Sequence, residues 1–387
     1  MATSGSAASG TAAWLRARRW WVGGALAALL ALLIGAAASW HFSSAVLVPD
    51  HRDWPEEETV ERLSRGTVVL SRSEETERPG LYALVWQAGQ AVVGAITAQS
   101  DETVTRKLSG VRGYLAPGMK VALDSKVYFG NPSRARGLPF ADVGIPGELG
   151  SMPAWLVPGR GDTWAIVVHG INDNPQVGLR ILPTLRRAGL PSLSITYRED
   201  LGAPASPDGM HHMGLTEWRD LAAAARYALA RGARRLVLIG YSMGGSLVTQ
   251  FMQRSPLAAR VAGLVLDAPA LDWREVLAFN ATEMGLPGFI ARPVEWAIGA
   301  RIDADWESLD AVEHPEYFQL PILLFHGTED EVVPISTSEE FAAELPRVTF
   351  YRAPRAGHTE AWNVNSRLYE RRLRAFLDRV APRRTGR

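Results

Sequence analysis

Cysteine is absent from the 387-residue chain, and neither sign of charge is in excess. The lack of cysteine excludes a disulfide framework, a thiolate zinc site and a cysteine nucleophile. Lysine plus arginine and aspartate plus glutamate each number 41, so no basic surplus is available to neutralise a nucleic-acid backbone. The composition therefore argues against nucleic acid as a partner.

Lysine is also scarce, because only Lys107, Lys120 and Lys126 are present among the basic residues. This preference for arginine is typical of a GC-rich bacterial genome. Hydrophobic residues make up 47% of the chain and charged residues 21%, which excludes a disordered protein. At roughly 150 residues per domain, the length predicts two domains or one large domain with additions.

Charged residues are missing between Arg19 and Asp50. Within this gap, residues 20–40 (WWVGGALAALLALLIGAAASW) are long enough for a helix of about 20 residues to cross a bilayer, and tryptophans stand at both ends. We predict a signal anchor here. Arginines precede it, so the positive-inside rule places a tail of residues 1–19 in the cytoplasm and the rest of the chain outside. The alternative is a signal peptide cleaved at Ala36–Ala38, which would release a secreted protein.

Residues 41–139 predict a small membrane-proximal β-rich domain, because turn signals separate short runs of β-branched and aromatic residues. Tyr82–Gln87 and Ala91–Thr97 flank Ala88-Gly89 and predict a β-hairpin rather than a second membrane span. A short acidic helix is predicted over Pro55–Arg65. No function can be read from the sequence of this domain.

From residue 140 to 387, strands alternate with helices. Apolar runs such as Thr163–Val168 and Arg235–Ile239 predict buried strands, and Thr216–Arg231 predicts an alanine-rich helix. This alternation predicts an α/β domain whose parallel sheet is covered on both faces. Right-handed crossovers place the carboxyl ends of such strands at one edge, where the sites of these sheets lie.

The pentapeptide Gly240-Tyr241-Ser242-Met243-Gly244 has the G-x-S-x-G pattern. A predicted strand precedes it and a predicted helix follows it, as in a sharp elbow that exposes a serine hydroxyl at the sheet edge. Gly240 and Gly244 are expected because neighbouring chains approach such a turn closely. The alternative, a glycine-rich turn that binds a nucleotide, is disfavoured because neither G-x-G-x-x-G nor G-K-[ST] is present.

A serine nucleophile needs a base and a carboxylate that orients the base, in the chain order serine, acid, histidine. Beyond residue 330 the only histidine is His358, directly after the last predicted strand. Asp330, just past the preceding strand, is the favoured acid. Its rivals are the neighbouring Glu329, and Asp267 and Asp272 near the end of an earlier strand.

The tetrahedral intermediate also needs an oxyanion hole. We expect its donors to be the backbone N–H groups of Met243, at the start of a helix, and of Ile171, in the loop after the first core strand. Gly170 permits the bend of that loop. His169 is expected to form structural hydrogen bonds rather than to carry a proton.

Residues 150–380 resemble the α/β-hydrolase superfamily. The resemblance is carried by His169-Gly170, the Gly240–Gly244 elbow, His326-Gly327 with Asp330, Val333-Pro334 and Gly357-His358. It implies a Ser242–Asp330–His358 triad and a doubly wound, mostly parallel sheet of about eight strands. The chain is similar to the serine-aminopeptidase-like and Bem46-like branch, whose members are often known only as hydrolases. The β-rich domain is not part of this pattern.

Residues 271–320 form an insertion between two core strands, where the superfamily usually has a helical cap. Its large apolar residues are Trp273, Phe279, Met284, Phe289, Ile290, Trp296 and Trp306. We expect about two thirds of them to pack the cap onto the core and the others to line an apolar acyl pocket. His211 and His212 cannot share a helix face and have no carboxylate cluster beside them, so no metal site is expected there.

These observations predict a membrane-tethered, extracytoplasmic serine hydrolase that cleaves carboxylic esters with an apolar acyl group, without cofactor or metal. A small or lipid-like ester is the expected substrate. The same triad would serve a peptidase, an amidase or an acyltransferase. A non-catalytic binding protein on a hydrolase scaffold is the alternative from another class, and the presence of nucleophile, acid and base argues against it.

Overall fold

The computed structural model describes residues 7–52 and 55–382, except for the side chains of residues 7–20, 22–25, 27 and 31. The first helix, α1, runs from Ala7 to Leu47 and is therefore longer at both ends than the predicted anchor over residues 20–40. Residues 1–6 of the predicted tail lie outside the described residues. Residues Ala28–Leu47 of α1 are long and apolar enough to cross a membrane, and no second helix of this kind occurs in the described ranges.

A closed six-stranded antiparallel barrel follows α1, with the strand order β1-β2-β5-β4-β3-β6 and β1 paired with β6. Its elements are β1 (Glu58–Ser64), β2 (Thr67–Ser71), helix α2 (Glu74–Glu77), β3 (Tyr82–Trp86), β4 (Gly89–Gln99), β5 (Thr103–Arg112) and β6 (Lys120–Asp124). The predicted hairpin is confirmed, because β3 and β4 pair in antiparallel register from Tyr82–Val93 to Trp86–Gly89.

The predicted acidic helix over Pro55–Arg65 is wrong. That segment contains β1, which pairs with β2 on one side and β6 on the other. Val60 is fully buried in the barrel, whereas Glu61 is exposed. Acidic residues favoured a helix in the sequence, but pairing with two distant strands decides the structure because it buries Val60.

A second sheet of eight strands has the order β14-β13-β12-β11-β9-β10-β8-β7 among the described residues. The six strands from β14 to β10 are parallel to one another, and β8 and β7 are antiparallel additions at one edge. The strands are β7 (Ala141–Pro146), β8 (Ser151–Val157), β9 (Thr163–Val168), β10 (Ser192–Ile195), β11 (Arg235–Tyr241), β12 (Val261–Asp267), β13 (Ile322–Gly327) and β14 (Val348–Ala353).

Helices cover both faces of this sheet. They are α3 (Pro132–Arg136), α4 (Leu182–Ala188), α5 (Trp218–Ala230), α6 (Met243–Arg254), α7 (Trp273–Glu283), α8 (Ala291–Ile302), α9 (Ile335–Glu344), α10 (Ala361–Val364) and α11 (Ser366–Val380). Side chains of α4 and α11 belong to the core on one face, and those of α5, α6 and α9 to the core on the other. The central strands β9 and β12 are buried along their whole length, as expected between two helical layers.

The insertion over residues 271–320 contains α7 and α8, joined by a short 3₁₀ turn at Gly288–Ile290. The expectation that most of its large apolar residues pack onto the core is wrong. Trp273 is buried, but Met284, Phe289, Ile290 and Trp296 are exposed. They lie at the end of α7, in the turn and on the outer side of α8, where nothing in the described part of the chain covers them.

Candidate active site

Ser242 occupies the turn between strand β11 and helix α6, with φ of 52° and ψ of −123°. A positive φ is strained for a serine and holds its side chain away from both elements. The flanking glycines have no room for a side chain. A Cβ on Gly240 would lie 2.6 Å from the Gly244 carbonyl oxygen, and one on Gly244 would lie 2.4 Å from the Val168 carbonyl oxygen.

His358 and Asp330 follow the neighbouring strands β14 and β13, and their side chains are hydrogen-bonded. The His358 Nδ1 atom lies 2.9 and 3.1 Å from the two Asp330 carboxylate oxygens. Asp330 also accepts hydrogen bonds of 2.9 Å from the amides of Val332 and Val333, and His326 Nε2 lies 3.2 Å from it. The carboxylate is therefore fixed from three sides and directed at one nitrogen of the His358 ring.

The charges of this pair stabilise each other. Burial raises the pKa of Asp330, but the His358 and His326 imidazoles outweigh burial and hold that pKa well below its usual range. Burial alone would lower the pKa of His358, whereas the Asp330 carboxylate and its hydrogen bond raise it above the usual value for histidine. Asp330 is thus an anion at every pH at which His358 could exchange a proton.

The rival carboxylates have other surroundings. Asp272 accepts hydrogen bonds from the Arg274 and Glu275 amides and so caps α7, and Glu329 is exposed. Asp267 is fully enclosed at the end of β12, where burial raises its pKa to about 6. No hydrogen bond joins any of these three side chains to His358 within the described residues.

The loop that follows β9 lies directly against the serine. A Cβ on Gly170 would lie 3.0 Å from the Ser242 Cβ and 3.5 Å from its Oγ. The Ile171 N–H comes next in this loop and has no hydrogen-bond acceptor in the described part of the chain. Met243 begins α6, so its N–H has no acceptor within the helix. Both predicted oxyanion donors therefore have free N–H groups, that of Met243 directly after Ser242 in the chain and that of Ile171 directly after Gly170, which lies against the serine.

A buried cluster holds this loop in place. His169 Nδ1 and the Tyr197 hydroxyl donate to the Gly170 carbonyl at 2.8 and 2.6 Å. His169 Nε2 lies 2.8 Å from the Asp200 carboxylate, and the His169 ring is stacked on Tyr197. The Asp200 carboxylate raises the pKa of His169 in spite of its burial. His169 thus has the structural hydrogen bonds that were expected.

Sequence reasoning missed two of these positioning residues. Asp200, as the partner of His169, lies 31 residues away, and His326 was noted only as part of a motif, not as a contact of Asp330. His326 carries a local signal, because it is the last residue but one of strand β13 and lies four residues before Asp330. Asp200 has none.

His211 and His212 contact neighbouring protein groups. His211 lies 3.2 Å from the Asn172 Oδ1 atom, and its backbone N–H donates to the Leu47 carbonyl. His212 contacts Asp208 at 3.1 Å. No cluster of three or more histidines and carboxylates suited to a metal occurs in residues 7–52 and 55–382.

Two family models match the chain. Residues 202–383 match the prolyl oligopeptidase family, and residues 59–124, which form the barrel, match a domain of unknown function named DUF8805. No curated protein matches the chain.

Solved structures resemble the part of the chain that contains the eight-stranded sheet. The Pyrococcus furiosus esterase Pf2001 is similar at 18% identity, with a TM-score of 0.53 over 63% of this chain and 92% of its own. A thermophilic esterase from Thermogutta terrifontis is similar at 20% identity, with a TM-score of 0.46 over 63% of this chain and 99% of its own. The fold is that of the α/β-hydrolase superfamily. Together with the match to the prolyl oligopeptidase family, it supports a serine hydrolase of that superfamily.

The Tyr197 hydroxyl offers a test of the loop that carries the predicted oxyanion donor Ile171. Tyr197→Phe removes one of the two donors to the Gly170 carbonyl, so the Ile171 N–H is held less firmly. We expect kcat to fall about fivefold, the equivalent of one hydrogen bond of about 1 kcal/mol. The change in kcat is measured by steady-state kinetics with a soluble ester. Tyr227→Phe on α5, whose ring packs under Arg231, is the control, and equal kcat values in both variants would contradict this role.

Proposed function

We propose that this chain is a membrane-anchored serine hydrolase that cleaves carboxylic esters with an apolar acyl group through an acyl-enzyme intermediate. The observation that carries the proposal is the convergence of four strand ends, those of β9, β11, β13 and β14, at one sheet edge. They present a strained Ser242, a His358 hydrogen-bonded to Asp330, and a loop with a free N–H against the serine.

In the proposed mechanism Ser242 Oγ attacks the ester carbonyl carbon while the Nε2 atom of His358 takes the hydroxyl proton. Asp330 holds the Nδ1–H side of the ring and stabilises the imidazolium that forms. The N–H groups of Met243 and Ile171 bind the oxyanion. His358 then gives the proton to the leaving alcohol, and a water molecule, activated by the same histidine, releases the acid and regenerates Ser242.

Peptide cleavage is the second candidate, because the matching family model is that of the prolyl oligopeptidases. The esterase proposal is supported instead by the Pyrococcus furiosus esterase among the similar folds. An acyltransferase would use the same side chains, whereas a binding scaffold has no need of all three. Turnover of matched ester and amide substrates, with product analysis in the presence of an added alcohol, separates these activities. Membership of the Bem46-like branch remains a prediction.

The anchor is proposed on the length and exposure of α1. Apolar side chains including Leu29, Leu32 and Ile34 are exposed along this helix, a distribution suited to lipid rather than to water. The positive-inside rule then places the barrel and the catalytic domain outside the cytoplasm. Cleavage at Ala36–Ala38 with release of the rest of the chain is the alternative.

Ser242→Ala is expected to abolish labelling of the full-length protein by a fluorophosphonate probe. The probe bonds its phosphorus to an activated serine oxygen and releases fluoride, and alanine has no such oxygen. Gel fluorescence in detergent solution measures the reaction. Ser246→Ala is the control on the same helix, because the Ser246 hydroxyl is bound to the Met213 carbonyl, and it should be labelled like the wild type. Labelling of Ser242→Ala would contradict the assignment.

We expect kcat/KM to decrease on the acid side of its pH profile, with a midpoint above the ordinary histidine pKa of about 6.5. His358 must be neutral to accept a proton, and the carboxylates of Asp330, Asp267 and Glu360 all raise its pKa. Asp330→Asn should shift this limb to lower pH and reduce kcat on the order of 10³- to 10⁴-fold, less than Ser242→Ala does.

Asp272→Asn is the control for that profile and should leave the limb in place, because Asp272 caps α7. Loss of turnover in Asp267→Asn, with turnover retained in Asp330→Asn, would move the role of the acid to Asp267.

A further inference from the structure

The exposed large apolar residues of the insertion are here called the cap tip: Met284, Leu286, Phe289, Ile290 and Trp296. Phe289 is 69% exposed and Trp296 is 76% exposed. The run from Met284 to Ile290 (MGLPGFI) contains no charged residue. Water is a poor solvent for such a surface, so the cap tip calls for an apolar partner.

Helix α8, which carries Trp296, packs against the end of α1. The Arg301 guanidinium on α8 donates to the Ser43 and Ser44 hydroxyls at 2.8 and 2.9 Å and lies over the Trp40 ring at 4.5 Å. Ser43 is buried in this contact, and Leu47, one turn further on, is fully buried in the catalytic core. The two helices are therefore fixed relative to each other.

This contact sets the height of α8 relative to the proposed membrane span. Trp40 ends the predicted span, and a tryptophan stacked with an arginine is typical of the headgroup region. Trp40 and Phe42 on α1 are exposed large apolar side chains, as are the residues of the cap tip. The cap tip is thus joined by a rigid contact to the one helix in the described residues that is suited to lipid.

We propose that the cap tip inserts into the lipid headgroup region beside α1, so that the catalytic domain rests on the membrane surface. The proposal depends on the proposed anchoring of α1 but not on the reaction that Ser242 performs. The lipid bilayer is the committed partner because α8, which carries Trp296, is fixed against α1, the helix whose length and composition suit a lipid bilayer.

The absence of cysteine from the chain allows a direct test with single spin labels in the full-length protein. Phe289→Cys places a label on the cap tip, Leu30→Cys places one within the span, and Ala375→Cys places one on α11, on the opposite face of the main sheet. Each variant is reconstituted in vesicles of phosphatidylcholine and phosphatidylglycerol. Collision with oxygen, which concentrates in lipid, is compared with collision with a water-soluble nickel chelate.

We expect the label at residue 289 to be shielded from nickel and accessible to oxygen, as at residue 30, while the label at residue 375 stays accessible to nickel. If the label at residue 289 were as accessible to nickel as the label at residue 375, while the label at residue 30 remained in lipid, the docking of the cap tip would be overturned and the anchor would stand. A label at 30 in water would overturn the anchor as well. Spin–spin broadening of the label at residue 289 would show that a second copy of the chain, and not the bilayer, covers the cap tip. Fluorophosphonate labelling of the same samples tests the hydrolase separately.

A different observation concerns the barrel, which contacts the loop that carries His358. The Glu360 carboxylate, two residues after His358, accepts hydrogen bonds from the Gly357 amide at 3.2 Å and from the hydroxyl of Tyr82 on β3 at 2.9 Å. Arg78 of the barrel lies 3.4 Å from the other Glu360 oxygen. Glu360 is buried, so it connects the barrel to the loop at a site with little access for water.

A second set of bonds fixes the end of the same loop. The Leu81 amide donates to the Asn363 carbonyl, and the Asn363 side chain donates to the Leu81 carbonyl at 2.7 Å. Gly80 approaches so closely that a Cβ there would lie 2.3 Å from the Asn363 carbonyl oxygen. Arg180 joins the network from the sheet side, through bonds to Asn363 and to the Thr359 carbonyl.

The geometry points to Glu360 as a positioning residue through which the barrel holds His358 in register with Asp330. This inference rests on the proposed function, because His358 is the proposed base. In this inference the barrel, which matches a domain of unknown function, contributes to the reaction by positioning His358 and does not contact the substrate.

Tyr82→Phe and Glu360→Gln test this role in the full-length protein. We expect kcat for a soluble ester to fall about fivefold or more in each, with KM unchanged, because the base and not the substrate pocket is displaced. The control is Tyr114→Phe, at a barrel residue that is 78% exposed. A kcat equal to that of the control in both variants would overturn the positioning role.

Raised KM with unchanged kcat would also overturn the positioning role. If Tyr82→Phe does not fold, Glu360→Gln alone tests the positioning role. Glutamine keeps the size of the side chain and one acceptor oxygen. Failure of the hydrolase proposal itself would show differently, as equal turnover in wild type and Ser242→Ala.

Discussion

The close packing around the turn at Ser242 is the constraint on which the rest of the site depends. The strained backbone at this position is held by three hydrogen bonds, from the Ser242 amide to the Asp267 carbonyl and from the Gly245 and Ala270 amides to the Ser242 carbonyl. Strain of this kind costs about 1–3 kcal/mol and persists only where the surroundings impose it. Here β12 and the start of α6 impose it, and the missing side chain of Gly244 lets β9 approach. The serine is thereby placed against the loop that carries Gly170 and Ile171.

Residues whose positions follow from local order in the chain could be predicted from the sequence. The elbow pentapeptide, a histidine after the last strand and an aspartate after the preceding one all follow from the alternation of strands and helices. The hairpin at Ala88-Gly89 was equally local. These signals exist because the carboxyl ends of the strands of a parallel sheet lie at one edge, and this does not depend on the rest of the sequence.

Features that depend on distant partners could not be predicted in this way. β1 carries acidic residues that favour a helix, and only its pairing with β2 and β6 makes it a strand. The contact of Tyr82 with Glu360 joins residues 278 positions apart. The exposure of Phe289 and Trp296 likewise depends on how α7 and α8 fold back, which composition alone does not determine. In each case a tertiary contact decides between local alternatives of similar free energy.

The segment that follows α1 has a consequence for how the protein would meet its substrate. Leu47 is packed into the core, its carbonyl accepts a hydrogen bond from His211, and the amide of Asp50 donates to Asn172, next to Ile171. A helix joined in this way cannot serve as a flexible tether. With α1 in a bilayer, the catalytic domain would keep one tilt and one distance from the surface. Its encounters with substrate would then be governed by lateral diffusion in two dimensions, and molecules beyond the reach of that fixed site would not be cleaved.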